Sequence, residues 1–274
     1  MFITKKARIK VIIRFVIFAF MCIANTALAI FLCLTGNDEP LSVIIALAVS
    51  FFIISIGTFP LGYYSEGVNE LYNIGRKTVY CELRPGEFIS QYISRRYSPD
   101  NVISKPNFMV LNMALVAYDV MDDMEGAFLN TLDEMDSVAN VRQKDIAKLL
   151  RADYLYEKGE IKEAERIFND VRSRKLGLIA RDTADRILKG ERAMAYGDYA
   201  TAEDYYRKEL SRTFPALTTL EHLIFRFKIS LICSKTGRRE EAEELFGFCS
   251  KFGGATSIRR KAEKLLNEMN SDKM

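Results

Sequence analysis

Residues 156–168 read YEKGEIKEAERIF, and the same order of residue types returns as AYGDYATAEDYY over 195–206 and SKTGRREEAEELF over 234–246. Each stretch has a glycine, an alanine five residues later and an aromatic four after that: Gly159-Ala164-Phe168, Gly197-Ala202-Tyr206 and Gly237-Ala242-Phe246. A weaker copy, YDVMDDMEGAFLNTL over 118–132, precedes them, with Asp122 in the glycine's place, Ala127 in the alanine's and Thr131 in the aromatic's. The turn residues are spaced by 37, 38 and 40 positions. A glycine ends one helix in a tight turn. An alanine lets the next helix approach closely, and the aromatic fills the space to the following unit. One such unit cannot bury its apolar face alone, so several must stack. The expected fold of this half of the chain is an all-α solenoid of helix–turn–helix units.

On these residues, 107–251 resembles the tetratricopeptide repeat family. The repeats are longer than the usual length of about 34, no tryptophan occurs anywhere, and a proline near a repeat end appears only as Pro215. The resemblance implies a peptide groove on the inner face of the first helix of each pair, ten, six and three residues before each turn residue. Those positions are Asn112, Val116 and Asp119, then Leu149, Asp153 and Tyr156, then Ile187, Glu191 and Met194, and last Phe227, Leu231 and Ser234. The Lys/Asn clamp that some family members use for C-terminal carboxylates is not matched, and Asp153 and Glu191 would repel a carboxylate. Ser257 to Met269, with Ile258, Ala262, Leu265, Leu266 and Met269 on one stripe, is expected to be a solvating cap helix.

Upstream the chain changes character. Val11 to Leu34 is 24 residues with one charge, Arg14, and Leu41 to Phe59 is 19 with none. As helices they would extend about 36 and 28 Å, enough for a hydrocarbon core of about 30 Å. Thr35 to Pro40 supplies turn residues between them. Lys5, Lys6, Arg8 and Lys10 precede the first span, and Arg76, Lys77 and Arg84 follow the second, while the loop has no basic residue. Basic flanks stay inside, so the expectation is a two-helix transmembrane hairpin in a plasma (inner) membrane with both termini cytoplasmic. Tyr63 and Tyr64 suit the interface after the second span. Ala27-Leu28-Ala29 also has the small-x-small form of a signal cleavage site; cleavage would leave the second span as anchor. Hairpin symmetry sets Asn25 near Ser50, for a bond within the hairpin or between copies. The expected organisation is a basic N-terminus over 1–10, the hairpin over 11–64, juxtamembrane helices and linker over 65–106, and the repeat domain with its cap over 107–274. Within that segment, Pro85 opens a short helix whose stripe of Phe88, Ile89, Tyr92 and Ile93 is expected to pack onto the next domain, the alternative being a membrane-surface helix. A hairpin followed by such an array resembles bacterial membrane proteins of this layout.

Composition removes several function classes. The whole chain of 274 residues is 49% hydrophobic and 27% charged with a net charge of +3, too balanced to announce nucleic-acid binding. There is one histidine, His222, which reads as structural, and there are five cysteines. Cys22 and Cys33 fall in the first span, Cys81, Cys233 and Cys249 are far apart, and the last two suit a core. No phosphate-binding glycine loop is present. Catalytic and metal residues, cofactors and a small-molecule substrate are therefore not expected. Between Pro106 and Val141 there is no Lys or Arg, against seven acids and five of the ten methionines. An EF-hand centred on Gly126 fails for want of oxygen ligands at Met121 and Leu132. The stretch is a solvated face or a surface for a basic, apolar peptide. Arg172, Arg174 and Lys175 crowd one inter-repeat turn, either solvated or facing anionic lipid or an acidic protein. The expected function is a membrane-anchored cytoplasmic scaffold that binds a protein or peptide partner. The alternative is an accessory subunit of a membrane enzyme, transporter or secretion assembly that makes its contact through the hairpin.

Overall fold

A computed structural model describes residues 16, 19, 70–96, 107–172, 176–213 and 216–271, without the side chain of Arg142. Apart from Val16 and Ala19, the two expected spans lie outside the described residues, as do Asn25, Ser50, Arg174, Lys175 and Pro215. Among the described residues no helix is long and apolar enough to cross a membrane. The chain divides into two compact units, one of residues 1–71 and 95–104, the other of 72–94 and 105–274. The first is described at few positions, among them Arg95, whose guanidinium lies 3.4 Å from the Glu70 carboxylate.

The second unit is helical throughout its described residues. After a π-helical turn, Arg76–Cys81, come α1 (Pro85–Arg96), α2 (Phe108–Asp119), α3 (Glu125–Val138), α4 (Val141–Glu157) and α5 (Ile161–Arg172). These are followed by α6 (Leu178–Lys189), α7 (Glu191–Ala195), α8 (Tyr199–Leu210), α9 (Thr219–Lys235), α10 (Arg239–Phe252) and α11 (Ser257–Ser271). Neighbours in sequence pack as pairs: α2 with α3, α4 with α5, α7 with α8, and α9 with α10, on which α11 lies. Side chains start these helices where the sequence offers them. Asn107 accepts the Met109 N–H at 2.7 Å, and Asn140 and Gln143 exchange side-chain and backbone bonds at 3.0 Å each. Thr218 and Glu221 form a full capping box.

The glycine turns are one structure repeated three times. Gly159, Gly197 and Gly237 sit at φ of +76, +75 and +78°, where a side chain would meet the carbonyl. In each, the next residue's N–H donates to the carbonyl five residues back: Glu160 to Leu155, Asp198 to Ala193 and Arg238 to Cys233, all at 2.9 Å. This is the Schellman closure, which satisfies carbonyls that the helix end leaves orphaned. The residues paced from those turns are the core. Ala164, Ala202 and Ala242 have no exposed surface, and Phe168, Tyr206 and Phe246 are buried with them. Tyr156 meets Phe168 edge-on at 6.3 Å, and Phe227 meets Phe246 the same way at 5.8 Å. Cys233 and Cys249 are buried free thiols, pushed by burial up to about 11 and about 12. Cys81 is free and exposed.

The first pair departs from the expected register. Its left-handed residue is Asp123, at φ +55°, not Asp122. The turn is five residues, 120–124, against three at 158–160, 196–198 and 236–238. Counting from Asp123, the buried positions of α3 become Phe128, Thr131, Leu132 and Met135, in step with Ala164, Ile167, Phe168 and Val171 of α5. Ala127 is therefore not the close-packing alanine of this unit. Phe128 takes that place, Leu132 takes the aromatic's, and Ala127 is only half-buried.

Two further features were not anticipated. The first helix of the third pair breaks at Gly190 into α6 and α7. A β-carbon there would lie 2.9 Å from the Tyr206 hydroxyl, which instead passes beneath the break and donates to Glu191 at 2.9 Å. The array is also curled. A straight stack of four pairs would hold its ends on the order of 30 Å apart, at about 8–10 Å per packed helix. Here the start of α11 reaches back to the first pair: the Ser257 N–H donates to the Val120 carbonyl at 2.8 Å, and Arg260 pairs with Asp122. The Ala255 N–H donates to the Leu83 carbonyl at 2.9 Å, and the π-turn packs on α9. Residues 72–94, read from sequence as part of the juxtamembrane helices and linker, belong to the same unit as the helix pairs, and Phe88, Ile89 and Tyr92, the stripe of the Pro85 helix, are buried in it. Instead of serving only as a solvating cap, α11 closes the curl.

Candidate functional site

The curl turns the first helices of the pairs toward a common cavity of about 590 Å³. Six of the expected groove residues line it: Asp119 from α2, Tyr156 from α4, Glu191 and Met194 from α7, and Phe227 and Leu231 from α9. The other expected positions do not. Leu149 and Ile187 have no exposed surface and pack in the core between α4, α5 and α6, so they face the seam within the array. Asn112 and Val116 are half-buried away from the cavity, and Ser234 is exposed elsewhere. Asp153 stands off the cavity wall, its carboxylate 2.6 Å from Arg186.

Sequence reasoning missed the residue at the centre. Lys228 of α9, 15% exposed, pairs with Glu157 and lies 2.8 Å from Glu191. Its signal was present: a lysine between Phe227 and Ile229 on an otherwise apolar helix face must find buried acids or leave. Burial disfavours its charge, but Glu157 and Glu191 outweigh that and hold the ammonium well above its ordinary range. Lys228 in turn holds the Glu157 carboxyl below the usual carboxylate range. Glu191 also accepts from the Tyr206 hydroxyl. Three pairs thereby meet at one point, α4 through Glu157, α7 through Glu191 and α9 through Lys228.

Asp119 is treated differently. It opens onto the cavity, and no cation among the described residues pairs with it. Asp119 is an exposed residue at the rim of the cavity; desolvation by the surrounding walls, with Glu157 and Asp153 adding repulsion and Lys228 and Lys261 relieving part of it, pushes its carboxyl above the usual carboxylate range. Asp153 is raised to about 6, first by burial, with Arg186 opposing. One Asp153 oxygen is buried with no hydrogen-bond partner among the described residues. The far wall is α11, through Ile258, Lys261, Lys264, Leu265 and Glu268. The apolar part is Ile224, Phe227, Leu231 and Met194.

A second cluster lies between α8, α9 and α10. A carboxylate oxygen each from Glu203 and Glu241 and the Cys233 sulfur fall within 4.8 Å of one another. Both carboxylates are already engaged. Arg238 reaches Glu203 at 2.7 Å and Glu241 at 3.1 Å, and Arg207 reaches Glu203 at 2.7 Å and pairs with Glu241 as well. Two guanidinium charges stand where a metal would have to enter, so the cluster serves as a tie between helices.

Searches of protein-family models, curated proteins and solved structures give no match to this chain.

Proposed function

We propose that this protein is a membrane-anchored scaffold whose tetratricopeptide-like array, a short curled solenoid, holds a protein partner at its inner face on the cytoplasmic side. The observation that carries the reading is the gathering of Asp119, Tyr156, Glu191, Met194, Phe227 and Leu231 around one cavity. Those residues are six of the twelve groove positions that the family resemblance implies, and the inner face of stacked helix pairs is where such arrays offer concave surface. The three Schellman turns in step support the repeat reading. Support for the anchor comes from the two uncharged runs and the basic residues around them.

The test is site-specific photocrosslinking of the full chain in intact membranes. A photoreactive residue at Met194 or Leu231 is expected to give one discrete protein adduct that a residue at the exposed Leu178 does not give. Adducts that form at positions 11–64 and never at the cavity would overturn the reading in favour of an accessory subunit held through its hairpin.

A further inference from the structure

Large apolar side chains left in solvent gather at one end of the helix pairs. Among the described residues the three most exposed are Val141 at 84%, Leu178 at 81% and Ile179 at 69%. Val141 opens α4, and Leu178 and Ile179 open α6. These two helices pack side by side. They also run parallel, since Arg186 reaches Asp153 and, farther along both, Lys228 ties Glu157 to Glu191. Their first turns therefore lie at the same end of the unit. Single exposed apolar residues are ordinary on a protein surface, but three together mark a contact surface. The first turns are also unlike an ordinary helix start, which favours a capping side chain and acids. The start of α9 is ordinary: it has a capping box with Glu221, and Leu220 is buried. By contrast, α6 starts at Gly177 with no side-chain cap, and neither α4 nor α6 has an acid in its first turn.

Basic residues surround these side chains. Lys144 and Arg181 follow Val141 and Leu178 by three positions, on the same helix faces. They and Arg172 are exposed, and no carboxylate among the described residues pairs with any of the three. From Arg172 to Arg181 the sequence has four basic residues and no acid. Against them stand Asp145 and Asp182, while Asp170 is already held by Lys148 at 3.0 Å. The glycine-turn end of the same pairs has the other sign, with Glu157, Glu160 and Asp198 against Lys158. We propose that the end of the array formed by the first turns of α4 and α6 docks on an anionic lipid surface, with Val141, Leu178 and Ile179 entering the interface and Lys144, Arg172 and Arg181 meeting headgroup phosphates. Apolar side chains ringed by cations suit such an interface, where apolar burial and attraction to anionic headgroups add. An acidic protein would satisfy the cations as well, but the chain's layout favours lipid. Phe59, the end of the second apolar run, is 13 residues before Tyr72, where the unit begins, and that length reaches at most about 45 Å. An anchored chain thus keeps the array near the bilayer, and the proposal rests on the membrane-anchored reading for that nearness alone.

The chain has no tryptophan, so one introduced indole reports its own surroundings. The full chain carrying Leu178→Trp is reconstituted into vesicles of phosphatidylcholine alone or with about a third phosphatidylglycerol, each with and without brominated acyl chains. Bromine quenches an indole that enters the acyl boundary. Leu178→Trp should be quenched about twofold or more in the anionic vesicles and stay bright in the neutral ones. Tyr196→Trp, exposed at the glycine-turn end, should stay bright in both. Arg172→Glu together with Arg181→Glu should abolish the quenching of Leu178→Trp while leaving the melting temperature unchanged. Phe52→Trp, within the second apolar run, reports the anchor and should be quenched in both lipids whatever the arginines are. Equal quenching of Leu178→Trp in neutral and anionic vesicles, equal quenching at Tyr196→Trp, or quenching that survives the double reversal would each overturn the proposal. If Phe52→Trp is quenched and Leu178→Trp is not, the anchor stands, docking on lipid fails, and this end is left to a protein partner. If Leu178→Trp is quenched in anionic vesicles and Phe52→Trp is not, docking stands and the anchor fails.

Discussion

The two charged clusters of the repeat unit have similar ingredients and opposite balance. Between α8 and α10, two carboxylates, Glu203 and Glu241, meet two guanidiniums, Arg207 and Arg238, and each carboxylate touches both. In the cavity, Glu157, Glu191 and Asp119 meet one paired ammonium, Lys228. The first cluster is saturated and half-exposed, so it has nothing left to offer a ligand. The second centres on Lys228 and Glu191, which are largely buried, while Glu157 and Asp119 are exposed at its edge and Lys261 and Lys264 line the same cavity, which makes it a structural hub. Mutations should separate these properties.

Lys228→Met should have the largest effect. It leaves the buried Glu191, with the more exposed Glu157 beside it, without their ion-pair partner. Breaking a buried pair from one side costs about 3–5 kcal/mol, read as a loss in urea-unfolding stability of the full chain. Adding Glu191→Gln should recover part of that loss, because an amide removes one of the two stranded charges while keeping a group for the Tyr206 hydroxyl. A single substitution that costs under about 1 kcal/mol would show that the hub is not holding the three pairs together.

Asp119→Asn should act in the other direction. Its carboxyl titrates near 7 in the folded chain and near 3.8 when free. Below both values the group is neutral in each state and adds nothing. Between them the folded state holds a proton that the unfolded state has released, so stability falls as pH rises from about 4 to about 7. The variant should melt higher than the parent at pH 8 and equally at pH 3.5. The gain should be smaller than the Lys228 loss, because the side chain opens to solvent, which screens it. A variant that melts lower at pH 8 would make Asp119 a structural group like Glu203.

The turns carry the next contrast. Gly197→Ala puts a β-carbon at φ +75° and should cost about 1–2 kcal/mol. Asp123→Gly relieves a left-handed residue but loosens the unfolded chain, and these terms should cancel to within about 0.5 kcal/mol. Thermal melts of the two variants check whether the first turn truly tolerates its aspartate.

That contrast also explains what was legible in the sequence. Glycine is nearly obligatory at a sharp left-handed closure, so Gly159, Gly197 and Gly237 located three turns and, with them, the buried alanines and aromatics. Aspartate visits the same conformation without announcing it, and adjacent Asp122 and Asp123 left the first register ambiguous by one residue. Gly190 was a weak sign, since a lone glycine inside a helical pattern is usually tolerated. The curl had no local sign at all. It depends on bonds from Ser257 to Val120 and from Ala255 to Leu83, which join residues more than a hundred positions apart. The site followed the same division. Spacing found Asp119, Glu191 and Leu231, but the charge that organises them, Lys228, sits one residue beyond an expected groove position.

The smallest effect belongs to the saturated cluster. Arg207→Ala removes one of two guanidiniums from carboxylates that Arg238 still serves. Arg207 is 46% exposed, and pairs at such sites are worth about 0–1 kcal/mol and weaken with salt. The loss should therefore be under about 1 kcal/mol in low salt and vanish in 1 M salt. Lys228→Met should keep most of its cost at the same salt, because enclosed charges are little screened. The ratio of the two salt dependences measures how different the clusters are. Equal sensitivity would mean that the pairs of Lys228 are as wet as those of the surface cluster.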